Sequence, residues 1–171
     1  MRKQAGFTIV ELLITIALIA TVTVIAIPNF ISWLPNYRLR SASQDLLSNF
    51  QKAKLAAVKS NVNAAVCFKG DNSGYTAFMD TNADYVRDGG EEVVADVAWA
   101  GYKSLVVNLA YNTFDTTVGA RPCMAFQSTG IPVDGSAGGF SSVPSREVQI
   151  GNTNGRSSKV VVSPAGSVYL E

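Results

Sequence analysis

The sequence contains no histidine and few motifs of the kind that carry catalysis. Histidine is the commonest general base and transition-metal ligand, so its absence lowers the expectation of hydrolytic or metal-dependent chemistry. No G-x-S-x-G motif and no G-x-x-x-x-G-K-[ST] phosphate loop is present. Ser-Lys or carboxylate pairs leave a membrane-anchored enzyme as one alternative. The prediction is a protein without enzymatic activity.

A large charge of either sign is also lacking. The 171 residues include 14 Lys and Arg against 13 Asp and Glu, a formal net charge of +1. No global field is therefore expected to attract nucleic acid or an anionic surface, and partners must be argued from local features. The length suits one domain with an appendage.

Cysteine is scarce, and the two that occur, Cys67 and Cys123, lie far beyond the apolar opening of the chain. If the later part of the chain is exported to an oxidising compartment, such a pair favours a disulfide, although two buried free thiols would give the same sequence. A bridge closing a loop of this length would contribute about 4–5 kcal/mol in the chain-entropy model.

The opening of the chain is a long apolar run. Phe7–Ile27 contains one charged residue, Glu11, and its length matches a helix spanning the hydrocarbon core of a bilayer. Arg2 and Lys3 precede it, so the positive-inside tendency places the N-terminus in the cytoplasm and sends the remainder across the membrane. A secretory signal peptide is the alternative, but the apolar run continues to Pro28 without a well-marked cleavage site.

The stretch "AGFTIVELL" resembles the type IV prepilin signature, with Gly6, Phe7 and Glu11 in register and Pro28 at a position where pilins commonly have proline. The resemblance implies that a prepilin peptidase removes residues 1–6 by cutting between Gly6 and Phe7, and methylates the new amine of Phe7. The resemblance also implies that the apolar helix 7–27 is kept as a single-pass inner-membrane anchor with the head in the periplasm. It later becomes part of a filament core, in a periplasmic filament or at the cell surface.

Glu11 is costly in such a helix, since a carboxylate at the bilayer centre costs about 2.5–3.5 kcal/mol on insertion scales. The resemblance implies that Glu11 of one subunit pairs with the Phe7 amine of a neighbour and so sets the axial register of assembly. The alternative is that Glu11 reaches the headgroups from the end of the helix.

Residues 28–62 are predicted to form an amphipathic helix packed on the head. Pro28 and Pro35 predict a kink or a locally melted turn between them; the alternative is a simple linker. Residues 63–171 are predicted to form a β-rich globular head, and 133–145 within it a surface loop. Its strands are predicted at 64–69, 74–80, 103–110, 122–127, 146–151, 159–163 and 167–171. The core stripe of the helix is predicted at these positions: Leu39, Ala42, Leu46, Phe50, Ala53 and Ala57.

Three head stretches, "GYTAFMDTNADYVRDGGEEVV", "MAFQSTG" and "KVVVSPAGSVYLE", resemble the FimT/GspH group of minor pilins and pseudopilins. The implied fold is α+β and type IV pilin-like, with a long N-terminal helix packed on a mostly antiparallel β head. The implied function is that of a minor type IV pilin, a low-copy subunit at or near the filament tip, with other pilins as partners. Two alternatives are a minor pseudopilin of type II secretion and a filament-mounted DNA- or surface-binding module.

The C-terminal tail departs from one pattern in this group. Some FimT-like pilins that assist DNA uptake carry a motif resembling Gly-Arg-x-Arg after the last glycine, whereas here Gly166 is followed by Ser167, Val168 and Tyr169. Phosphate contact depends on Lys or Arg, so DNA binding by this tail is not expected.

An acidic loop is the one candidate ion site, and no cofactor other than calcium is predicted. Its oxygen donors follow the spacing of an EF-hand loop, with a tyrosine, Tyr85, in place of the usual glycine at position 6. The alternative is an acidic hairpin turn without metal. The six candidate ligands, at positions 1, 3, 5, 7, 9 and 12, are Asp80, Asn82, Asp84, the Val86 carbonyl, Asp88 and Glu91.

Overall fold

A computed structural model describes residues 6–71, 73–108, 122–133 and 145–171 of the chain. The chain divides into two compact units, one ending at Leu34 and one running from Pro35 to Glu171. Helix α1 extends over Ile9–Ser60, and a 3-10 turn forms at Trp99–Gly101. The strands are β1 (Asn63–Phe68), β2 (Gly74–Asp80), β3 (Val93–Ala98), β4 (Leu105–Asn108), β5 (Cys123–Phe126), β6 (Pro132–Val133), β7 (Arg146–Asn152), β8 (Ser157–Val162) and β9 (Val168–Leu170).

Helix α1 is helical through both of its prolines. Pro28 and Pro35 each remove one backbone donor, yet the residues between them keep helical structure. The alternative of a locally melted turn is therefore wrong, while the kink stays a prediction.

The second half of α1 packs on the head through the predicted stripe. All six predicted positions are buried, at the three- and four-residue spacing that places side chains on one face of a helix. Two polar residues, Ser43 and Asn49, are buried beside them. The prediction of an amphipathic half is confirmed for these positions.

The strands form two sheets, and every pairing is antiparallel. Sheet A has the order β3-β2-β1-β5-β6, and sheet B has the order β4-β7-β8-β9. The expected α+β fold with an antiparallel head is confirmed. Sequence analysis had not assigned β3, which follows the acidic loop directly, nor β6, which is only two residues long and begins with Pro132.

The main core lies where α1 meets the inner faces of both sheets. From sheet A, Phe126 meets Phe50 of the helix edge-on, with ring centroids 6.4 Å apart. From sheet B, Val148 and Ile150 belong to the same buried cluster. Each such side chain contributes about 1.5–3 kcal/mol on burial, so this layer is the principal apolar contribution to folding of the head.

A smaller apolar cluster lies on the outer face of sheet A. It contains Cys67, Phe78 and Cys123, and Tyr85 of the acidic loop packs against it. The loop is thus part of the folded head. Most of the loop predicted over 133–145 lies outside the described residues.

Candidate functional site

The expected cleavage site precedes the helix. Gly6 and Phe7 lie outside α1, Phe7 is 87% exposed, and no described atom lies within 4 Å of a Cβ built on Gly6. The bond between Gly6 and Phe7 is therefore in non-helical, accessible backbone, which is the form that a peptidase needs. The first five residues of the predicted leader lie outside the described residues.

Helix α1 begins with a capped turn beside Glu11. The Thr8 hydroxyl accepts a hydrogen bond from the backbone N–H of Glu11 at 3.2 Å, in the T-x-x-E pattern of a capping box. Among the described residues, no hydrogen bond or ion pair engages the Glu11 carboxylate. Thr8, which lies within the prepilin-like signature, thus caps the first turn of the helix, and the Glu11 carboxylate is not used in that cap.

The first half of the helix presents an apolar surface on all sides. Every residue from Gly6 to Trp33 is exposed, and a window of α1 near its N-terminus has a mean hydropathy of 2.6. Thr15, Thr21 and Thr23 donate their hydroxyls to backbone carbonyls three or four residues earlier at 2.7–2.8 Å. Polar groups satisfied within the helix leave a surface suited to lipid or to other apolar helices.

The acidic loop is held by two buried carboxylates. Asp80 accepts hydrogen bonds from the backbone N–H groups of Asp84 and Tyr85 at 3.2 and 3.1 Å. Glu91 accepts from the Thr81 N–H at 2.8 Å and from the Asp88 N–H at 3.0 Å. The two ends of the loop are thereby closed by side chains in place of strand pairing.

Two residues of the loop have positive backbone φ angles. Ala83 has φ 59° and Tyr85 has φ 61°, so Tyr85 adopts the left-handed conformation at the position where an EF-hand normally has glycine. The N–H of Val86 also bonds to Asp84 Oδ1 at 2.7 Å. The tyrosine that departs from the sequence pattern still provides its backbone turn.

Three of the candidate calcium ligands, Asn82, Asp84 and Asp88, are linked to one another by hydrogen bonds. Within the described parts of the chain, no group of three or more His, Cys, Asp or Glu residues is placed to hold a metal ion. The Asn82 amide donates to the Asp84 and Asp88 carboxylates at 2.9 and 3.1 Å, between the two acids. In this arrangement the side chains of the loop bond to one another and to backbone N–H groups, as in an acidic turn without metal.

Burial changes the ionisation of the loop. Asp80 is almost fully buried, and burial, with a smaller contribution from the Glu91 charge, raises its pKa above the usual range even though backbone N–H groups oppose the shift. The carboxylate that closes the loop is therefore easier to protonate than an exposed aspartate.

The predicted disulfide joins Cys67 and Cys123. The two residues are directly opposite each other on β1 and β5, so the bridge links neighbouring antiparallel strands. The Tyr85 carbonyl oxygen lies 3.4 Å from Cys67 Sγ and 4.0 Å from Cys123 Sγ. The acidic loop thus covers the bridge, and both sulfurs are largely shielded from solvent.

The C-terminal tail ends in β9, with Gly166 in the turn before it at φ +79°. This strand pairs with β8, and the Glu171 and Lys159 backbones exchange two hydrogen bonds at 2.8 and 2.9 Å. The tail is therefore an ordered edge strand, and the residues that follow Gly166 carry no cation.

Sequence reasoning missed the polar contacts that join α1 to the head. Asn49, which is buried, donates to the Tyr75 hydroxyl at 2.7 Å, and burial raises the pKa of Tyr75 to about 12. Lys54 donates to the Gly166 carbonyl at 2.9 Å. Pairs separated by 26 and 112 residues leave no local signal, because each residue alone fits an ordinary helix surface.

Helix α1 is apolar and exposed in its first half, has Glu11 in its capped first turn, and continues into an antiparallel head. These features define a type IV pilin-like subunit. Comparison with known families agrees. Residues 42–166 match the family described as type II transport protein GspH, and residues 1–27 match the prokaryotic N-terminal methylation motif. The chain therefore belongs to the GspH family.

Solved structures show the same fold. The type IV minor pilin FimU of Pseudomonas aeruginosa matches in two crystal forms. The first match has a TM-score of 0.54 and 18% identity, covering 80% of this chain and 90% of that one. The second has a TM-score of 0.51 and 17% identity, covering 78% and 92%. None of the curated proteins compared with the chain matches it.

Proposed function

We propose that this protein is a minor type IV pilin, a low-copy structural subunit that supports filament assembly at or near the tip. The observation that carries the proposal is the direct continuation of a methylation-motif helix, exposed and apolar throughout its first half, into a GspH-family head. Such a surface cannot remain in water, so it requires lipid first and neighbouring helices afterwards.

Processing is the first step of this proposal. A prepilin peptidase cuts between Gly6 and Phe7 and methylates the Phe7 amine, which leaves the chain in the inner membrane with its head in the periplasm. The non-helical backbone at Gly6 and the cations Arg2 and Lys3 support this order.

Assembly is the second step. The Glu11 carboxylate pairs with the Phe7 amine of a neighbouring pilin, so that two charges which are costly in an apolar medium neutralise each other only in one axial register. No enzymatic step is assigned to the chain, and the work of assembly comes from other proteins.

A minor pseudopilin of type II secretion is the second candidate, favoured by the description of the matched family. A minor pilin and a minor pseudopilin would use the same N-terminal helix, and they would differ in the subunits that surround it in the filament. A DNA-binding role is not proposed, because Ser167, Val168 and Tyr169 offer no charge to phosphate.

Calcium binding remains a prediction for the acidic loop. Its support is the spacing of oxygen donors and the left-handed backbone at Tyr85. Binding requires the Asn82 amide to turn its oxygen toward Asp84 and Asp88, a rotation that exchanges an amide donor for an acceptor.

The experiment that tests the proposed function is photocrosslinking in cells from a benzophenone amino acid at Thr15, one turn after Glu11. Mass spectrometry then identifies both the attached neighbour and the N-terminus. We expect a methylated Phe7 at the N-terminus and a major pilin as neighbour. A major pseudopilin would assign the chain to type II secretion instead.

Two variants sharpen this test. Glu11→Gln should retain cleavage but lose most of the crosslink, while Glu92→Gln, the same change at an exposed head position, should retain both. An N-terminus other than Phe7 together with no pilin-like neighbour would contradict the proposal.

A further inference from the structure

A cleft of about 790 Å³ opens on the outer face of sheet A, between the β1–β2 turn and the acidic loop. We call it the loop cleft. Every residue that lines it belongs to the unit that runs from Pro35 to Glu171. A volume of about 300–1,000 Å³ is usual for ligand sites in proteins, so the loop cleft is large enough to hold a small organic molecule.

The strand register defines the floor of the loop cleft. Cys67 of β1 is opposite Thr76 of β2, and Thr76 is opposite Asp96 of β3. All three residues line the cleft. Residues directly opposite one another on antiparallel strands lie on the same face of the sheet, so the floor is one row of side chains across three strands.

One side of the loop cleft is apolar. Phe78 follows Thr76 by two residues and so lies on the same face of β2. Phe78 and Cys67 belong to the outer apolar cluster against which Tyr85 packs. Val86, the next residue of the acidic loop, lines the cleft and is 49% exposed. An apolar group bound on this side would leave water, which favours binding.

The other side of the loop cleft is charged, and most of its groups already have partners. Lys69 Nζ lies 3.0 Å from Asp96 Oδ1 in an ion pair. Asp96 also accepts a hydrogen bond from the Thr76 hydroxyl at 3.2 Å. Asp71 accepts one from the Ser73 N–H at 2.9 Å. These groups hold the rim of the cleft in place.

Arg87 is the charged lining residue whose group is available to a ligand. It is exposed, and among the described residues its guanidinium takes part in no hydrogen bond or ion pair. The hydrogen bond from Lys69 lowers the pKa of Asp96, and the charge of Arg87 adds to that effect. Arg87 therefore lies within electrostatic range of the charged row.

The available guanidinium identifies the chemistry of the ligand. Arginine pairs with a carboxylate through two parallel hydrogen bonds, and the planar shapes of the two groups match. A phosphate monoester carries a charge of about −1.5 to −2, which Asp71 and Asp96 would repel. A singly charged carboxylate suits the site better. The apolar side of the cleft adds the requirement for an apolar group beside that carboxylate.

We propose that the loop cleft binds a carboxylate that carries an aromatic or branched aliphatic group. The carboxylate lies on Arg87, and the apolar group lies against Val86 and the floor of the cleft. A small organic acid and the carboxyl terminus of another protein chain share this chemistry. The inference goes beyond the proposed function and does not depend on filament assembly.

The test uses the full chain in nanodiscs of phosphatidylcholine and the probe N-acetyl-4-fluorophenylalanine. Broadening of the ¹⁹F NMR line of the probe reports binding, with empty nanodiscs as the blank. We expect the carboxamide of the same probe to bind at least about tenfold more weakly, because it cannot form a charged pair with Arg87. N-acetylglycine, which has no apolar group, should compete at least about tenfold less well than N-acetylphenylalanine.

Two variants assign the site. Arg87→Gln should weaken binding of the acid at least about tenfold and leave binding of the carboxamide unchanged. The carboxamide thus reports whether the cleft of the variant is still folded. Arg156→Gln makes the same change at an exposed arginine in the turn between β7 and β8, and it should change neither affinity.

A peptide of three alanines followed by 4-fluorophenylalanine with a free carboxylate distinguishes the two sources. Tighter binding than the single amino acid assigns the terminus of a protein chain, and equal or weaker binding assigns a small organic acid. Three outcomes would overturn the proposal. They are no saturable binding of either acid, equal affinities for acid and carboxamide, and equal losses in the two arginine variants.

Discussion

The Lys54 ammonium donates a hydrogen bond to the Gly166 carbonyl at 2.9 Å, which connects helix α1 to the turn before the last strand. Gly166 is also in close backbone contact with Gly130, a residue of the turn between β5 and β6. Turns from both sheets therefore meet at one lysine of the helix. The contact joins two sheets whose described strands do not pair with each other.

Gly166→Ala is expected to destabilise the head more than Gly155→Ala. Both glycines have positive φ, +79° and +77°, so alanine costs about 1–2 kcal/mol at either position. At Gly166 the new Cβ would also overlap the Gly130 carbonyl oxygen, which adds about 1–3 kcal/mol of overpacking, whereas no described atom lies within 4 Å of a Cβ at Gly155. Urea unfolding followed by Trp99 fluorescence in a Trp33→Phe background measures both, and equal losses would show that backbone contact contributes nothing.

Removing the disulfide is expected to cost about 4 kcal/mol in the free energy of unfolding, the loop-closure value for a separation of 56 residues. The Cys67→Ala, Cys123→Ala double variant avoids leaving a free thiol. Its unfolding midpoint should match that of the reduced wild-type chain, and reductant should not change it further. A double variant as stable as the oxidised protein would contradict this expectation.

The raised pKa of Asp80 predicts that this residue stabilises the head more at lower pH, opposite to a carboxylate whose pKa is lowered on folding. The folded head binds this proton more tightly than the unfolded chain, so the contribution of Asp80 to stability grows as the pH falls from 7 through its raised pKa and is complete near the unfolded value of 3.8. Asp80→Asn cannot titrate there. The wild type should therefore gain stability relative to Asp80→Asn over that window, measured in chelator at several pH values, and a difference independent of pH would contradict the assignment.

Calcium is expected to raise the unfolding midpoint of the full chain if the acidic loop binds it, in proportion to the logarithm of its concentration above the dissociation constant. Asp84→Ala should remove this response, and Asp71→Ala, an acid outside the loop, should retain it. A calcium titration with no change in the wild type, under conditions where chelator also has no effect, would leave the loop as an acidic turn.

Sequence patterns predicted most of the architecture, because the relevant signals are local. The buried stripe from Leu39 to Ala57 follows from helical spacing, and β2 was predicted with its observed bounds because Gly74 and the residues after Asp80 delimit it clearly. The edge strand β3 was missed. None of its residues is fully buried, Asp96 interrupts its apolar residues, and its structure depends on pairing with β2.

The candidate sites also divide into those that a local motif predicts and those that depend on the fold. Gly6, Phe7 and Glu11 form a compact motif whose chemistry can be read without a fold, whereas the order of the acidic loop depends on Asp80 and Glu91 being buried together. In the fold, these two candidate ligands also accept hydrogen bonds from backbone N–H groups of the loop. No local pattern contains that information.

By itself, the sequence determined that an apolar helix with a methylation motif leads into a β-rich head, because hydrophobic length and periodicity act over neighbouring residues. Only the tertiary structure decided that Cys67 is opposite Cys123, that Lys54 meets Gly166, and that Arg38 lies beside Lys103. Those contacts join residues 56 to 112 positions apart, and they form only when burial of the common core brings the strands to the helix.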